Sequence, residues 1–572
     1  MSPEGNASLI VGVLGAGTMG GGIAEAAVTR GLEVILYDVG DEILARARAR
    51  LRVSLARRVR RGRITPVEAD AALGRLRLTT RLDDLGAAGL IIEAAPEDLA
   101  LKRDLFARLD AITPPDVILA SNTSSLSITA LAASVQHPRR VVGMHFFNPA
   151  PVMELVEIIP GRATAPEVVA AARGAAEALG KTPVLARDTP GFIVNRIARP
   201  FYGEALRLLA EGVAPVDQVD RIIRLAGGFP MGPFELLDLI GLDVNLAVSR
   251  SVYEASFHEP RFRPHPLQEG MVQAGLLGRK SGHGFYDYKK GGPEGAHEPT
   301  TQMNGSLAPS GSPGLTAKEH VTGVHPIAPK HIAIVGTGRL ADELERAVSG
   351  VGWRVERAES TRPPDGAEVV VDLLLDPNEK KMIFERVGSA LTSDALWLTL
   401  ALPLAATEAA AGYHHPARVV GFATLPPWSE RKVIEILPGL RSTARAVADA
   451  AALFHALGKE TATVADGAGG VFPRIFAMIV NEAAFALAEG VASAGDIDTA
   501  LRLGANYPRG PLALADEIGL DLVLAVMEGL QRERGEDRYR PAPLLRRLVA
   551  AGWTGAGVGR GFHEGGSLGG DA

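Results

Sequence analysis

The strongest constraint on the fold is that the chain is written twice. Val141-Val142-Gly143 recurs 278 positions later as Val419-Val420-Gly421, Gly232-Pro233 as Gly510-Pro511, and Gly241-Leu242-Asp243 as Gly519-Leu520-Asp521. An earlier element, Gly15-Ala16-Gly17, recurs as Gly336-Thr337-Gly338, but 321 positions on. The second copy has therefore lost 43 residues between its first strand and its later matches. Two copies at so long a period indicate duplicated domains rather than a solenoid.

Each half opens with short apolar runs alternating with helical stretches. Ile10–Leu14, Glu33–Tyr37, Leu90–Ala94, Val117–Ala120 and Val141–His145 read as strands, most of them near-continuously apolar. Such runs suit a parallel sheet covered by helices on both faces. After Thr189-Pro190-Gly191 the pattern becomes helical to about Gly275. The expected fold is an α/β Rossmann-type domain followed by an all-α helical domain, the pair present twice. The expected boundaries are 1–186 and 187–288 for the first pair, and 331–464 and 465–572 for the second. Between them, residues 289–330 are dense in Gly, Pro, Ser and Thr and read as a flexible linker.

Composition removes several function classes. The sequence has no cysteine, which excludes disulfides, thiolate metal sites and cysteine nucleophiles, and no metal is expected. A net charge of −6 offers no electrostatic reason for nucleic-acid binding. The apolar stretch from Leu9 to Val28 lacks the basic flank of a signal peptide, since the charge before it is Glu4 alone. With no apolar run of about 18 residues elsewhere, no membrane span is expected and the protein reads as cytoplasmic.

Gly15-x-Gly17-x-x-Gly20 follows a strand and opens a helix that includes Thr18 and Met19, and Asp38 ends the next strand. A glycine triplet alone says little; in this context it is the dinucleotide fingerprint. The glycines let the backbone approach a pyrophosphate at the positive end of a helix. Asp38 would accept hydrogen bonds from ribose hydroxyls and repel a 2′-phosphate, which selects NAD over NADP.

Further motifs go beyond a generic nucleotide fold. Ser121-Asn122-Thr123-Ser124-Ser125-Leu126, Gly143-Met144-His145-Phe146-Phe147-Asn148-Pro149 and Asp188-Thr189-Pro190-Gly191-Phe192-Ile193-Val194-Asn195-Arg196 resemble the L-3-hydroxyacyl-CoA dehydrogenase family. Gly232-Pro233-Phe234-Glu235-Leu236-Leu237-Asp238 and Gly282-His283-Gly284-Phe285-Tyr286 extend the likeness over about residues 9–288. The resemblance implies oxidation of (S)-3-hydroxyacyl-CoA by NAD⁺ to 3-oxoacyl-CoA. The acyl group would be short, as in 3-hydroxybutyryl-CoA of fatty acid metabolism, or dicarboxylic, as in 3-hydroxyadipyl-CoA of phenylacetate and other aromatic catabolism. Two alternatives stay open: an L-gulonate-type hydroxyacid dehydrogenase on the same fold, and a non-catalytic NAD-binding regulatory protein.

Alcohol oxidation needs a base for the hydroxyl proton, and histidine titrates near neutrality. Alone, a histidine ending a strand is more often structural than catalytic. The resemblance makes His145 the base and Glu157 the carboxylate that orients it. It likewise places Ser124 and Asn195 on the reacting oxygen or the thioester carbonyl, although Ser124 could instead cap a helix and Asn195 fix a turn. Glu97, Lys102, Ser124, Asn148 and Lys280 match family positions near the nicotinamide, with Lys280 coming from the far end of the helical domain.

Nine arginines lie between Arg46 and Arg63. Such a run is usually a solvated helix face. The resemblance implies a helical hairpin that grips coenzyme A, whose phosphates suit guanidinium groups; Ser54 and Arg61 fall closest to the family's contacts. The second half keeps little of this. His145 maps to Ala423, Ser124 to Leu402 and Asn195 to Pro473, and only the acid persists, as Glu435. Gly20 maps to Ala341 and Asp38 to Glu359, and the hairpin falls in the deletion. The second half is thus no second active site. Because family members pair through their helical domains, it is expected to form an intramolecular pseudo-dimer with the first.

Overall fold

The computed structural model describes residues 9–291, 329, 331–358, 366–387 and 393–563. Nearly all of the expected linker, and the Asp38 counterpart Glu359, lie outside the described residues.

The first sheet contains β1 (Ile10–Leu14), β2 (Glu33–Tyr37), β3 (Leu76–Thr79), β4 (Leu90–Glu93), β5 (Ile118–Ser121), β6 (Val141–Phe146), β7 (Leu155–Pro160) and β8 (Thr182–Leu185), in the order β3-β2-β1-β4-β5-β6-β7-β8. Val11, Val13, Leu90, Ile92, Val142 and Met144 fill its interior against Ile23, Ala27, Leu44 and Leu51 of the covering helices. Burial on both faces explains why these strands are apolar throughout. The five strands read from the sequence are parallel, and the structure adds β7, which runs antiparallel to β6, with β8 parallel to β7. The 147–154 connection is too short for a crossover helix, so the chain must turn back.

The second sheet contains β9 (His331–Val335), β10 (Arg354–Ala358), β11 (Val369–Asp372), β12 (Leu396–Leu400), β13 (Val419–Ala423), β14 (Val433–Pro438) and β15 (Glu460–Thr463), in the order β10-β9-β11-β12-β13-β14-β15. Strand for strand it repeats the first sheet, β13 and β14 again being antiparallel. The described residues hold no counterpart of β3 or of the helices Asp41–Arg60 and Pro66–Gly74 that precede it. That accounts for the deletion seen in the sequence.

The chain divides into two compact units that cut across the repeat. One comprises residues 1–196 with 486–506; the other comprises 197–485 with 507–572. Within the first unit, the helix Ala494–Ala505 packs on β7 and β8. Within the second, its counterpart Val216–Gly227 packs on β14, where Lys432 N–H donates to Leu225 C=O at 3.1 Å. Each sheet is therefore covered at its antiparallel edge by a helix encoded in the other half. No helix among the described residues is long and apolar enough to cross a membrane.

Candidate active site

The glycine loop joins β1 to the helix Thr18–Thr29. Gly15 has φ +99°, and a Cβ there would meet Ala94 O at 2.7 Å; at Gly20 it would fall 1.8 Å from Gly15 O. Both positions therefore demand glycine. A Cβ at Gly17 would meet nothing within 4 Å, so the loop presents open space at the helix N-terminus. Asp38, half-buried at the end of β2, accepts Ala16 N–H on Oδ2 at 2.7 Å and Val39 N–H on Oδ1 at 2.8 Å. The acid thus braces the loop it serves. Arg50 does so from below, donating to Ala16 C=O at 2.8 Å. A close-approach loop, a free helix N-terminus and an acid beside it fit a dinucleotide.

Along the same strand ends lies the histidine pair. The β6/β7 register sets His145 directly opposite Glu157. Nδ1 of His145 is 2.6 Å from Glu157 Oε2, both side chains being buried. The other oxygen accepts the N–H groups of Ile193 and Val194 at 3.0 and 2.9 Å. Because a carboxylate only accepts, Nδ1 is the donor in this pair. Phe147 and Phe192 wall the imidazole, with ring centroids at 4.5 and 5.9 Å. Asn195 follows on the one-turn helix Val194–Ile197 and is half-buried. Sequence reasoning missed Asn122, whose Oδ1 accepts Phe146 N–H at 2.8 Å and so pins the end of β6. Its only signal was membership of the serine-rich motif.

A third group lies beyond β4 and β5. One oxygen of Glu97 gathers the Thr123 hydroxyl at 2.6 Å and the N–H groups of Ser124 and Ser125 at 3.0 and 3.1 Å. The Ser124 hydroxyl is 3.3 Å from it. Burial would raise the Glu97 pKa, but Lys102 and these hydrogen bonds outweigh it and hold the carboxyl below its ordinary value. Lys102 itself, expected at the cofactor, is 1% exposed. Its Nζ is taken up by Glu93 at 2.6 Å, Ala95 C=O at 3.2 Å and Glu97 at 3.4 Å. The second half keeps this buried arrangement as Lys380 with Asp372 and Thr399, at 2.7 and 3.0 Å, although Ala423 stands in the place of His145. Lys102 is thus held among Glu93, Ala95 and Glu97, and through Glu97 it is linked to the serine loop. Lys280 lies in the other compact unit, where it pairs with Asp243 at 2.5 Å.

Comparison with known proteins is consistent across both halves. The family model for the 3-hydroxyacyl-CoA dehydrogenase NAD binding domain matches residues 10–189 and 338–467, and that for the C-terminal domain matches 191–288 and 469–565. The chain belongs to the 3-hydroxyacyl-CoA dehydrogenase family. It is an NAD-dependent dehydrogenase. The 3-hydroxyadipyl-CoA dehydrogenase of Escherichia coli K12 is 40% identical over 95% of this chain and 98% of its own. A crystal structure of 3-hydroxybutyryl-CoA dehydrogenase from the same organism superposes with a TM-score of 0.75 at 38% identity, covering 96% of this chain and 99% of that one. A 3-hydroxybutyryl-CoA dehydrogenase of Mycobacterium tuberculosis is 45% identical, but its 98% coverage corresponds to only 49% of this chain. Single-copy relatives thus align with one half.

In this dehydrogenase the arginine-rich helix Asp41–Arg60 borders a cleft of about 510 Å³. Ser54, Arg57, Arg58, Arg61 and Arg63 line it, facing Asn148 and Val152. The Ser54 hydroxyl donates to Glu25 at 2.5 Å. Burial raises the Glu25 pKa against the opposing pull of Ser54, Arg58 and Arg57.

The second copy shows what loss of the histidine leaves. Ala423 stands opposite Glu435 in the β13/β14 register. Glu435 still accepts Val471 and Phe472 N–H at 2.5 and 2.9 Å. With no cation against it among the described residues, burial pushes its pKa up to about 8. Where the serine loop would stand, Leu402 and Leu404 are buried, and the backbone of Gly529 packs directly on the carbonyls of Leu402 and Pro403. Packed apolar side chains stand where the first copy has its serine loop.

Proposed function

We propose that the first half oxidises the 3-hydroxyl of an (S)-3-hydroxyacyl-CoA thioester with His145 as general base. The observation that carries this is the buried His145–Glu157 pair, whose Nδ1 contact leaves Nε2 to take the hydroxyl proton. Glu157 holds the ring and stabilises the imidazolium that forms, while its second oxygen is fixed by two backbone donors. Ser124 and Asn195 orient the reacting oxygen and the thioester carbonyl. Gly15, Gly17, Thr18, Met19, Gly20 and Asp38 hold the adenosine and pyrophosphate of NAD; Glu97 and Asn148 lie toward its nicotinamide. Bound there, NAD supplies the hydride acceptor. Ser54 and Arg61, with the neighbouring arginines of the cleft, receive the coenzyme A phosphates.

The acyl group is short-chain or dicarboxylic, because the two relatives that share both halves are named for 3-hydroxyadipyl-CoA and for 3-hydroxybutyryl-CoA. The second half is read as the intramolecular partner of the first, its helix Ala494–Ala505 replacing one that a second subunit would provide. The test is NADH absorbance with acetoacetyl-CoA. His145→Ala should lower turnover by about 10²–10⁴, and comparable rates in the two proteins would remove His145 as the base. The ratio of kcat/KM for 3-hydroxybutyryl-CoA to that for 3-hydroxyadipyl-CoA decides between the two acyl groups.

A further inference from the structure

We infer that the helix Ala494–Ala505, encoded in the half that lacks a catalytic set, is a positioning element of the active site, with Gly504 as its point of contact. The inference rests on the His145–Glu157 reading above.

Gly504 lies so close to the first domain that a Cβ on it would stand 2.6 Å from Leu155 Cδ2, 2.9 Å from Val194 Cγ2 and 3.5 Å from Phe147 Cε1. Each of these residues is one step from the reacting pair. Leu155 lies on β7 two residues before Glu157, on the same face of the strand. Val194 donates its N–H to Glu157. The Phe147 ring packs on the imidazole. Leu155 and Val194 are both buried, so neither can swing into solvent to make room.

The segment just before this helix grips the same region by polar contacts. Glu489 Oε2 is 2.7 Å from Nη1 of the buried Arg196, next to Asn195. Val491 C=O accepts Arg187 N–H at 2.7 Å, and Glu489 C=O accepts from the Arg187 guanidinium at 2.9 Å. One segment of the second half thus bears on both stretches that hold Glu157, namely β7 and residues 187–196. Elsewhere on the helix there is slack: a Cβ at Gly495 would meet nothing within 4 Å.

The test compares one added methyl at two places on one helix in the full-length protein. Gly504→Ala and Gly495→Ala raise helix propensity alike, but only the first presses on the site. Gly504→Ala should lower kcat for acetoacetyl-CoA reduction about tenfold, with KM for NADH within twofold of wild type. The alkaline limb of its pH–rate profile should move to lower pH, because a loosened Glu157 contact holds a proton on the ring less well. Gly495→Ala should match wild type. The double variant Gly504→Ala/Leu155→Val, which removes the nearest methyl, should recover most of the lost kcat. Glu489→Gln should reproduce part of the kcat loss with a native melting curve. If Gly504→Ala matches Gly495→Ala in kcat and pH profile, the inference is wrong. It is equally wrong if the loss appears only as a lowered melting temperature that Leu155→Val does not repair. An active His145→Ala would instead sink the reading beneath it, and the two failures are distinguishable.

Discussion

Replacing Glu435 by glutamine should flatten the pH dependence of stability in the second half. In the folded chain burial pushes this carboxyl up to about 8, against an ordinary value of 4.5 in the unfolded chain. Between those values the folded state holds a proton that the unfolded state has released. Stability from this group is therefore fully present below pH 4.5 and falls as pH rises, until it is lost above about 8. At about 1.4 kcal/mol per pH unit, the interval amounts to roughly 5 kcal/mol. Glutamine carries no charge at any pH, but its amide cannot accept one of the two N–H groups now held by Glu435, which costs roughly 1–3 kcal/mol throughout. Wild type should be the more stable at pH 5 and the variant at pH 8. The assay has a built-in reporter, because all four tryptophans, Trp353, Trp397, Trp428 and Trp553, lie in the second half. For a urea dependence of about 2–3 kcal/mol per M, the fluorescence midpoints of the two proteins should move relative to each other by about 2 M between pH 5 and 8. Midpoints that stay parallel over that range would refute the reasoning. Turnover at pH 7 should be untouched.

Four other outcomes follow from the first half. Glu157→Gln turns an amide N–H toward His145 Nδ1, which moves the ring proton to Nε2; acetoacetyl-CoA turnover should fall by roughly 10³. Asp38→Asn should raise KM for NAD about tenfold and narrow its preference over NADP, as read by NADH and NADPH progress curves. Arg61→Ala should raise KM for acetoacetyl-CoA several-fold while leaving that for its pantetheine thioester unchanged, since only the former carries the phosphates. Lys102→Met leaves the buried Glu93 without its cation, and a loss of about 3–5 kcal/mol should appear in a thermal melt.

What the sequence disclosed depends on how local each demand is. The glycine loop was legible because Gly15 and Gly20 answer to backbone atoms a few residues away, and Asp38 to the strand beside them. The repeat was legible as arithmetic, and it predicted the missing hairpin. His145 and Glu157 were found through resemblance. Their separation of 12 residues acquires a geometric meaning only with the antiparallel β6/β7 register, and β7 was not among the strands read from the sequence. The burial of Lys102 was not legible, because a lysine is ordinarily exposed; what holds it inside is Glu93 at the end of β4, nine residues earlier. The helix that crosses from one half to the other left no local trace, since Gly504 meets Leu155 and Val194, which lie far back in the chain.

That crossing has a consequence for how the enzyme responds to dilution. A helix lent by a separate subunit departs when the complex dissociates, so turnover per site falls at low protein concentration. Here the helix is tethered, and its local concentration is set by the chain rather than by the number of molecules in solution. The specific activity should be the same at nanomolar and micromolar enzyme. On the proposed reading, the duplication exchanged a second set of reacting groups for a helix that stays attached to the first.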